Sequence, residues 1–152
     1  MHIATLAAGC FWGVEAKFRQ LPGVQSTRVG YTAGDTESPD YKAVCTGTTG
    51  HAEAIEITFD PDTISYEQLL DFFWQIHDPT TLNRQGPDRG TQYRSAIFYH
   101  NEQQKDLANN KKQTLNQTQF SQQLIVTEIT PAEQFYAAEE YHQCYISKQS
   151  QQ

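Results

Sequence analysis

The first apolar run, Ile3 to Ala8, is short and closed by Gly9, which predicts a buried strand. From Phe11 the spacing turns helical: Phe11, Val14, Phe18 and Leu21 recur at helical intervals until Pro22 and Gly23 stop them. Val24 to Tyr31 predicts a second strand. Thr32 to Thr49 is rich in Gly, Thr, Ser, Pro and Asp and reads as loop, with one helical turn at Tyr41 to Cys45. His51 to Phe59 predicts a strand closed by Asp60-Pro61. Ser65 and Gln68 have capping-box spacing, and Leu69, Leu70, Phe72, Phe73, Trp74 and Ile76 predict a well-buried helix ending at Asp78-Pro79. After a polar loop from Thr80 to Thr91 come a strand from Gln92 to Tyr99 and a polar surface helix from Asn101 to Leu115. Leu124 to Ile129 predicts a last strand, and Glu133 to Tyr145 a last helical segment. Residues 145–152, Gln-rich after Ser147, are expected to fray. With neither repeat nor boundary, 1–152 is expected to be a single domain. This order of elements predicts an α+β fold, a two-layer sandwich with a ferredoxin-like core and helices covering a mixed β-sheet.

A net charge of -7 leaves no basic stripe for nucleic acid and disfavours adsorption to anionic membranes. No stretch approaches the roughly 20 apolar residues of a membrane span. His2 to Ala8 is too short for a targeting segment and no basic run precedes it. The three cysteines, Cys10, Cys45 and Cys144, are an odd, sparse set unlike a secreted disulfide framework. A reducing, cytoplasmic setting is therefore expected, where a cysteine is buried filler, metal ligand or reactive thiol.

Cys10 stands where strand turns into helix. There the dipole and the free N–H groups favour thiolate, the form a nucleophile needs; the competing reading is a small buried hydrophobe. Trp12 lies off the apolar stripe, its helical neighbours being Glu15, Ala16 and Arg19, which suggests an aromatic wall around a site. In the strand from His51, alternation puts Glu53 and His51 on the face of Ile55, Ile57 and Phe59, with Glu56 on the other. An inward Glu53 would have its pKa raised by desolvation, as a general acid requires. A carboxylate that snorkels out of the strand end, or pairs with an arginine, is the alternative. Tyr41, Tyr93 and Asp88 lie in or beside the two glycine-containing loops, where tyrosine O–H groups can donate to an oxygen that gains charge.

Four segments carry a resemblance. Gly9-Cys10-Phe11-Trp12-Gly13-Val14-Glu15, Tyr41-Lys42-Ala43-Val44-Cys45, Thr49-Gly50-His51-Ala52-Glu53 and Arg84 to Ser95 resemble, in order and interval, the A-type methionine sulfoxide reductases. Phe135 to Glu139 and Tyr141-His142-Gln143 are similar to that family's last segment, so the resemblance runs from Gly9 to about Tyr145. It implies reduction of the S epimer of methionine sulfoxide, free or in peptides, with no metal or organic cofactor. It further implies Cys10 as attacking thiolate, Glu53 as proton donor to the sulfoxide oxygen, Tyr41 and Tyr93 as hydrogen-bond donors to that oxygen, and Asp88 as support for the network. Phe11 and Trp12 would hold the S-methyl group. A monomer recycled by thioredoxin is expected, with glutathione or glutaredoxin as the other reductants.

Many members of that family carry a glycine-rich tail with recycling cysteines, which does not follow here. Cys144, the only cysteine near the carboxyl end, is the leading candidate to resolve a sulfenic acid on Cys10; Cys45 and an external thiol are the alternatives. For Cys45 a structural buried thiol is the favoured reading. Other classes fit less well. His51-Ala52-Glu53 matches half of a zinc-deaminase motif, but the Pro-Cys-x-x-Cys half is missing. A Cys–His hydrolase would leave Glu53 without a role, and a non-catalytic ferredoxin-like module would leave Trp12 and an inward Glu53 unexplained.

Overall fold

A computed structural model describes residues 1–150 of the chain. In order these form β1 (His2–Ala8), α1 (Phe11–Phe18), β2 (Val24–Thr32), α2 (Tyr41–Cys45), β3 (Ala52–Phe59), α3 (Tyr66–Gln75), β4 (Arg84–Gln85), β5 (Asp88–Arg89), β6 (Ser95–Tyr99), α4 (Glu102–Gln117), β7 (Glu128–Pro131), β8 (Phe135–Ala137) and α5 (Tyr145–Ser150). One sheet, in the order β7-β6-β1-β3-β2-β8, uses strands from both ends of the chain. It is mixed, because β6 and β7 run parallel while the other pairs are antiparallel. The expected α+β architecture is thus present.

Strand parity builds the core. Ala4, Leu6 and Ala8 of β1 and Ile55, Ile57 and Phe59 of β3 share one face, where Val14 and Phe18 of α1 and Leu69, Leu70, Phe73 and Trp74 of α3 cover them. The opposite face carries small residues, Ala7, Ala52, Ala54 and Ala96, so loops can lie close against it. Helix α3 starts in the capping box read from the sequence, Ser65 and Gln68 satisfying each other's backbone N–H groups. A directional chain of hydrogen bonds fixes the entry to β6. Trp74 Nε1 donates to Thr127 Oγ1 at 3.1 Å, Thr127 and Ser95 hydroxyls meet at 2.7 Å, and Ser95 Oγ is 2.8 Å from His77 Nε2, whose Nδ1 lies 2.6 Å from the Phe73 carbonyl.

The later elements depart from the sequence expectation. The strand expected from Gln92 starts only at Ser95, after a 3-10 turn at Thr91–Tyr93. The loop before it contains the small β4–β5 hairpin. The strand expected at Leu124 to Ile129 is formed at Glu128–Pro131 instead. The expected helix at Glu133 to Tyr145 is not formed: Phe135–Ala137 is strand β8, Glu140–His142 a 3-10 turn, and α-helix begins only at Tyr145. Its helix-forming residues are overruled because the edge of β2 offers backbone partners along Gly30 to Thr32. The tail expected to fray includes α5, and residues 151 and 152 lie outside the described residues.

Gly30 is what lets β8 dock. A Cβ there would overlap the Tyr136 carbonyl oxygen and approach the Phe135 ring to 2.6 Å. Gly30→Ala is therefore expected to destabilise the protein by about 1–3 kcal/mol, as overpacking does. In hydrogen exchange the amide of Ala138, which donates to the Val29 carbonyl at 2.9 Å, should lose protection while those of β1 keep theirs.

Candidate active site

The core face of the sheet ends in chemistry. Along β3 the run Phe59, Ile57, Ile55 is continued by Glu53, and along β2 Val29 and Tyr31 pair with Ile55 and Glu53. Glu53 is 1 % exposed. Its Oε1 accepts the Phe11 N–H at 3.3 Å, one of the donors that the start of α1 leaves unpaired. Its Oε2 is buried and has no partner among the described residues. Burial pushes its pKa up to about 7; the Phe11 N–H opposes this, and the negative charge of Asp88 adds to it. The inward carboxyl expected from strand parity is there, and it neither snorkels nor meets an arginine.

Cys10 is the N-cap residue of α1. Gly9 before it has φ +98°, and a Cβ there would come within 2.9 Å of the Gln85 side chain, so glycine is required twice over. Gln85 in turn is bound through its amide to the backbone N–H and carbonyl of Asp78. Cys10 makes no full capping hydrogen bond, yet the N–H groups of Trp12 and Gly13 are near enough to act on its sulfur. Here the sequence expectation needs correcting. Burial outweighs those N–H groups, and the charges of Glu53 and Asp88 add to it, so the Cys10 pKa is raised rather than lowered.

The aromatic wall is built from both ends of the chain. Phe11 is buried, 5.7 Å from Tyr31 and 6.4 Å from Tyr41, centroid to centroid. Trp12 is half-buried and stacks on Tyr145 at 4.0 Å, while its Nε1 donates to His142 Nδ1 at 2.9 Å. The face of α1 that reads as polar in sequence is therefore covered: Trp12 and Glu15 both receive the C-terminal segment. Tyr41 and Tyr93 lie close enough to Glu53 for its charge to act on them. Burial, with that charge, raises both phenols, Tyr93 to about 12, so both stay protonated donors at neutral pH. Asp88, on β5, acts by charge on Cys10, Glu53 and Tyr93.

Cys45 sits among these groups as well. It is exposed, not the buried structural thiol expected; burial of the sulfur itself still raises its pKa against opposing contacts with the Tyr41 and Tyr93 hydroxyls. Cys144 is half-buried with φ +53°. Three side chains at the site were not singled out by sequence reasoning. Tyr31 donates to Glu139 Oε1 at 3.0 Å, and Glu139 Oε2 accepts the Tyr41 N–H at 3.1 Å. Burial raises the Glu139 carboxyl, but its own backbone N–H, that of Tyr41 and the Tyr31 hydroxyl together hold it below its usual range. His142, 1 % exposed, contacts Phe11, Trp12 and Tyr41 and has its pKa lowered by burial. Tyr31 shares the parity of Val29 and was findable on that basis; Glu139 and His142 lie in the stretch misread as helix. His51 is no metal ligand in this arrangement: Nδ1 accepts the Gly34 N–H at 3.0 Å, and Nε2 lies 2.7 Å from the Thr36 carbonyl. No histidine hydrogen-bonds Cys10 among the described residues, which leaves a Cys–His hydrolase without its base.

A thiol at a helix start, a carboxyl with its pKa raised to about 7, two phenols and an aromatic wall suit protonation of an oxygen bound to a soft, apolar group. The family model for peptide methionine sulfoxide reductase matches residues 2–152. The chain belongs to the peptide methionine sulfoxide reductase family. Among its relatives, the peptide methionine sulfoxide reductase MsrA of Methanothermobacter thermautotrophicus is 59% identical over 145 residues, covering 95% of this chain and 86% of the relative. Among solved structures, reduced Mxr1 of Saccharomyces cerevisiae superposes with a TM-score of 0.92 at 41% identity, over 99% of this chain and 87% of that one. Another Mxr1 structure, in complex with Trx2, matches with a TM-score of 0.67 at 27% identity, over 95% and 84% of the two chains. This membership makes the chain an oxidoreductase, a peptide-methionine (S)-S-oxide reductase, and removes the non-catalytic module as a reading. Among the described residues no helix is long and apolar enough to cross a membrane.

Because the Glu53 charge raises the Cys10 pKa, Glu53→Gln in this reductase should lower it. Thiolate absorbance followed against pH is the measurement; an unchanged or higher thiol pKa would show that the two groups are not coupled.

Proposed function

We propose that Cys10 attacks the sulfur of methionine S-sulfoxide while Glu53 protonates the departing oxygen. The observation that carries this reading is Glu53: one oxygen held by the first turn of the cysteine's own helix, the other buried and unpaired, the pKa near neutrality beside the thiol. A sulfoxide sulfur is a poor electrophile until its oxygen takes up positive charge, so acid and nucleophile must face each other across the substrate. The attack bonds the Cys10 sulfur to the substrate sulfur; as that bond and the substrate's sulfur–oxygen bond break, the protonated oxygen passes to Cys10, methionine leaves and a sulfenic acid remains on the enzyme. Tyr41 and Tyr93 donate to the oxygen throughout, and the charge of Asp88 adds to the burial that favours protonated Glu53. Trp12, backed by Phe11, holds the S-methyl group and leaves the rest of the peptide in solvent.

Cys144 then attacks the sulfenic acid, and the resulting disulfide is reduced by thioredoxin; the solved complex of Mxr1 with Trx2 supports that partner. Glutathione or glutaredoxin is the alternative reductant. Cys45, exposed beside the two tyrosines, is the alternative thiol. The enzyme works as a monomer with a single domain, and the single domain is supported by one sheet that draws strands from both ends of the chain. A cytoplasmic location is consistent with sparse, unpaired cysteines.

Cys10→Ser should abolish reduction of methionine S-sulfoxide; retained activity would end the assignment. Cys144→Ser should release one methionine per enzyme and then stop under thioredoxin. Persistent cycling would pass the resolving role to Cys45 or to an external thiol.

The pH dependence follows from the two shifts. The reactive form needs Glu53 protonated, which is favoured below about pH 7, and Cys10 ionised, which is favoured above its raised pKa. Their product rises up to about pH 7, stays level between the two pKa values, and falls above the upper one. Single-turnover rates of Glu53→Gln should be about 10²–10⁴-fold lower, as loss of a general acid is. They should also lack the bend near pH 7, climbing with thiolate alone. A mutant profile that keeps that bend would assign it to another group.

A further inference from the structure

Glu15 has no part in the sulfoxide step, yet its side chain is 1 % exposed in the second turn of α1. Both carboxyl oxygens are used. Oε2 accepts the Thr27 hydroxyl at 2.8 Å, which fixes the group against β2, and Oε1 accepts the backbone N–H of Cys144 at 2.7 Å. The residues on either side of Cys144 are anchored independently. Gln143 exchanges two hydrogen bonds of 2.9 Å with the backbone of Val29, and Tyr145 stacks on Trp12 at 4.0 Å. Between these anchors Cys144 is held at φ +53°, a left-handed conformation that a side chain disfavours. With 143 and 145 fixed, the free variable is the turn of the backbone at 144, and the Glu15 carboxyl is the group that takes its N–H.

We propose that Glu15 is a positioning residue for regeneration of the enzyme, holding the backbone of Cys144 so that its thiol meets the sulfenic acid on Cys10. This rests on the reading of Cys144 as the resolving thiol. In that step the Cys144 sulfur bonds to the Cys10 sulfur and the Cys10 sulfur–oxygen bond breaks. The oxygen leaves as water with the thiol proton and the hydroxyl hydrogen; Cys144 is oxidised and the sulfenic sulfur reduced. The attack is intramolecular, so its rate depends on how closely the two sulfurs are held, and a freed backbone at 144 lowers it.

The test separates the two halves of the reaction. Enzyme without reductant is mixed with methionine S-sulfoxide, and methionine release, free thiols and dimedone-trapped sulfenic acid are followed in time. Glu15→Ala should release methionine at the wild-type rate but close the disulfide about 10-fold or more slowly, accumulating trapped sulfenic acid. Glu15→Gln keeps an oxygen for the Cys144 N–H and should restore near wild-type closure. Thr27→Val, a milder change that serves if Glu15→Ala does not fold, should slow closure less but in the same direction. Closure at or above the wild-type rate in these variants, or methionine release slowed as much as closure, would overturn the proposal. Cys144→Ser run alongside tells the two readings apart. If it still loses both thiols, Cys144 is not the resolving residue and the role of Glu15 falls with it. If it stops at sulfenic acid while Glu15→Ala closes normally, only the role of Glu15 falls.

Discussion

The hydrogen bond from the Phe11 N–H to Glu53 joins the two halves of the site. The first turn of any helix leaves backbone donors unpaired, and a buried carboxyl needs donors. Each solves part of the other's difficulty at 3.3 Å. The bond ties β3 to α1 immediately after Cys10, so the acid cannot shift without moving the helix that carries the nucleophile. It also satisfies only one oxygen. Among the described residues the other has no partner, which leaves it the oxygen open to a hydrogen-bonding substrate.

The carboxyl-terminal segment supplies what the rest of the fold lacks. Without it Trp12 and Glu15 would face solvent, Tyr31 would bury a hydroxyl with no acceptor, and the backbone of Tyr41 would lose Glu139. The segment is held chiefly by polar contacts to β2 and α1: strand pairing at Gly30 to Thr32, the Gln143 amide on Val29, and Glu15 on Cys144. Few large apolar side chains are buried in it. These contacts fix the backbone on both sides of Cys144 against β2 and α1, so the segment is held by the same two elements that border the site.

What could be read in the sequence was whatever a local period dictates. Alternation placed Glu53 on the face of Ile55 and Ile57, and the change from strand to helical spacing placed Cys10 at a helix start. The capping box at Ser65 is a three-residue pattern and was equally plain. What failed depended on distant partners. Glu133 to Tyr145 has helix-forming residues, but the open edge of β2 beside Gly30 claims Phe135–Ala137 as strand and leaves only a 3-10 turn at Glu140–His142. The polar reading of Glu15 was correct for an isolated helix and wrong once residue 144 arrived over it. The Cys10 pKa failed for the same reason: the dipole is local, whereas the burial that outweighs it comes from tertiary packing.

The raised thiol and the raised carboxyl have a joint consequence. Between the Glu53 and Cys10 pKa values the two groups hold a single proton, and it lies mostly on sulfur. The reactive arrangement, thiolate with carboxylic acid, is the minor tautomer with the same net charge. The resting enzyme therefore keeps its thiol largely protonated and poorly reactive toward adventitious oxidants. In the proposed mechanism, a substrate oxygen that accepts from Tyr41, Tyr93 and the carboxyl would favour the proton on Glu53, and the thiolate tautomer would be drawn out with a sulfoxide in place to use it. A helix start that made Cys10 a permanent thiolate would give up that selectivity. The same burial that contradicts the simple helix-dipole expectation is thus what couples nucleophile to acid.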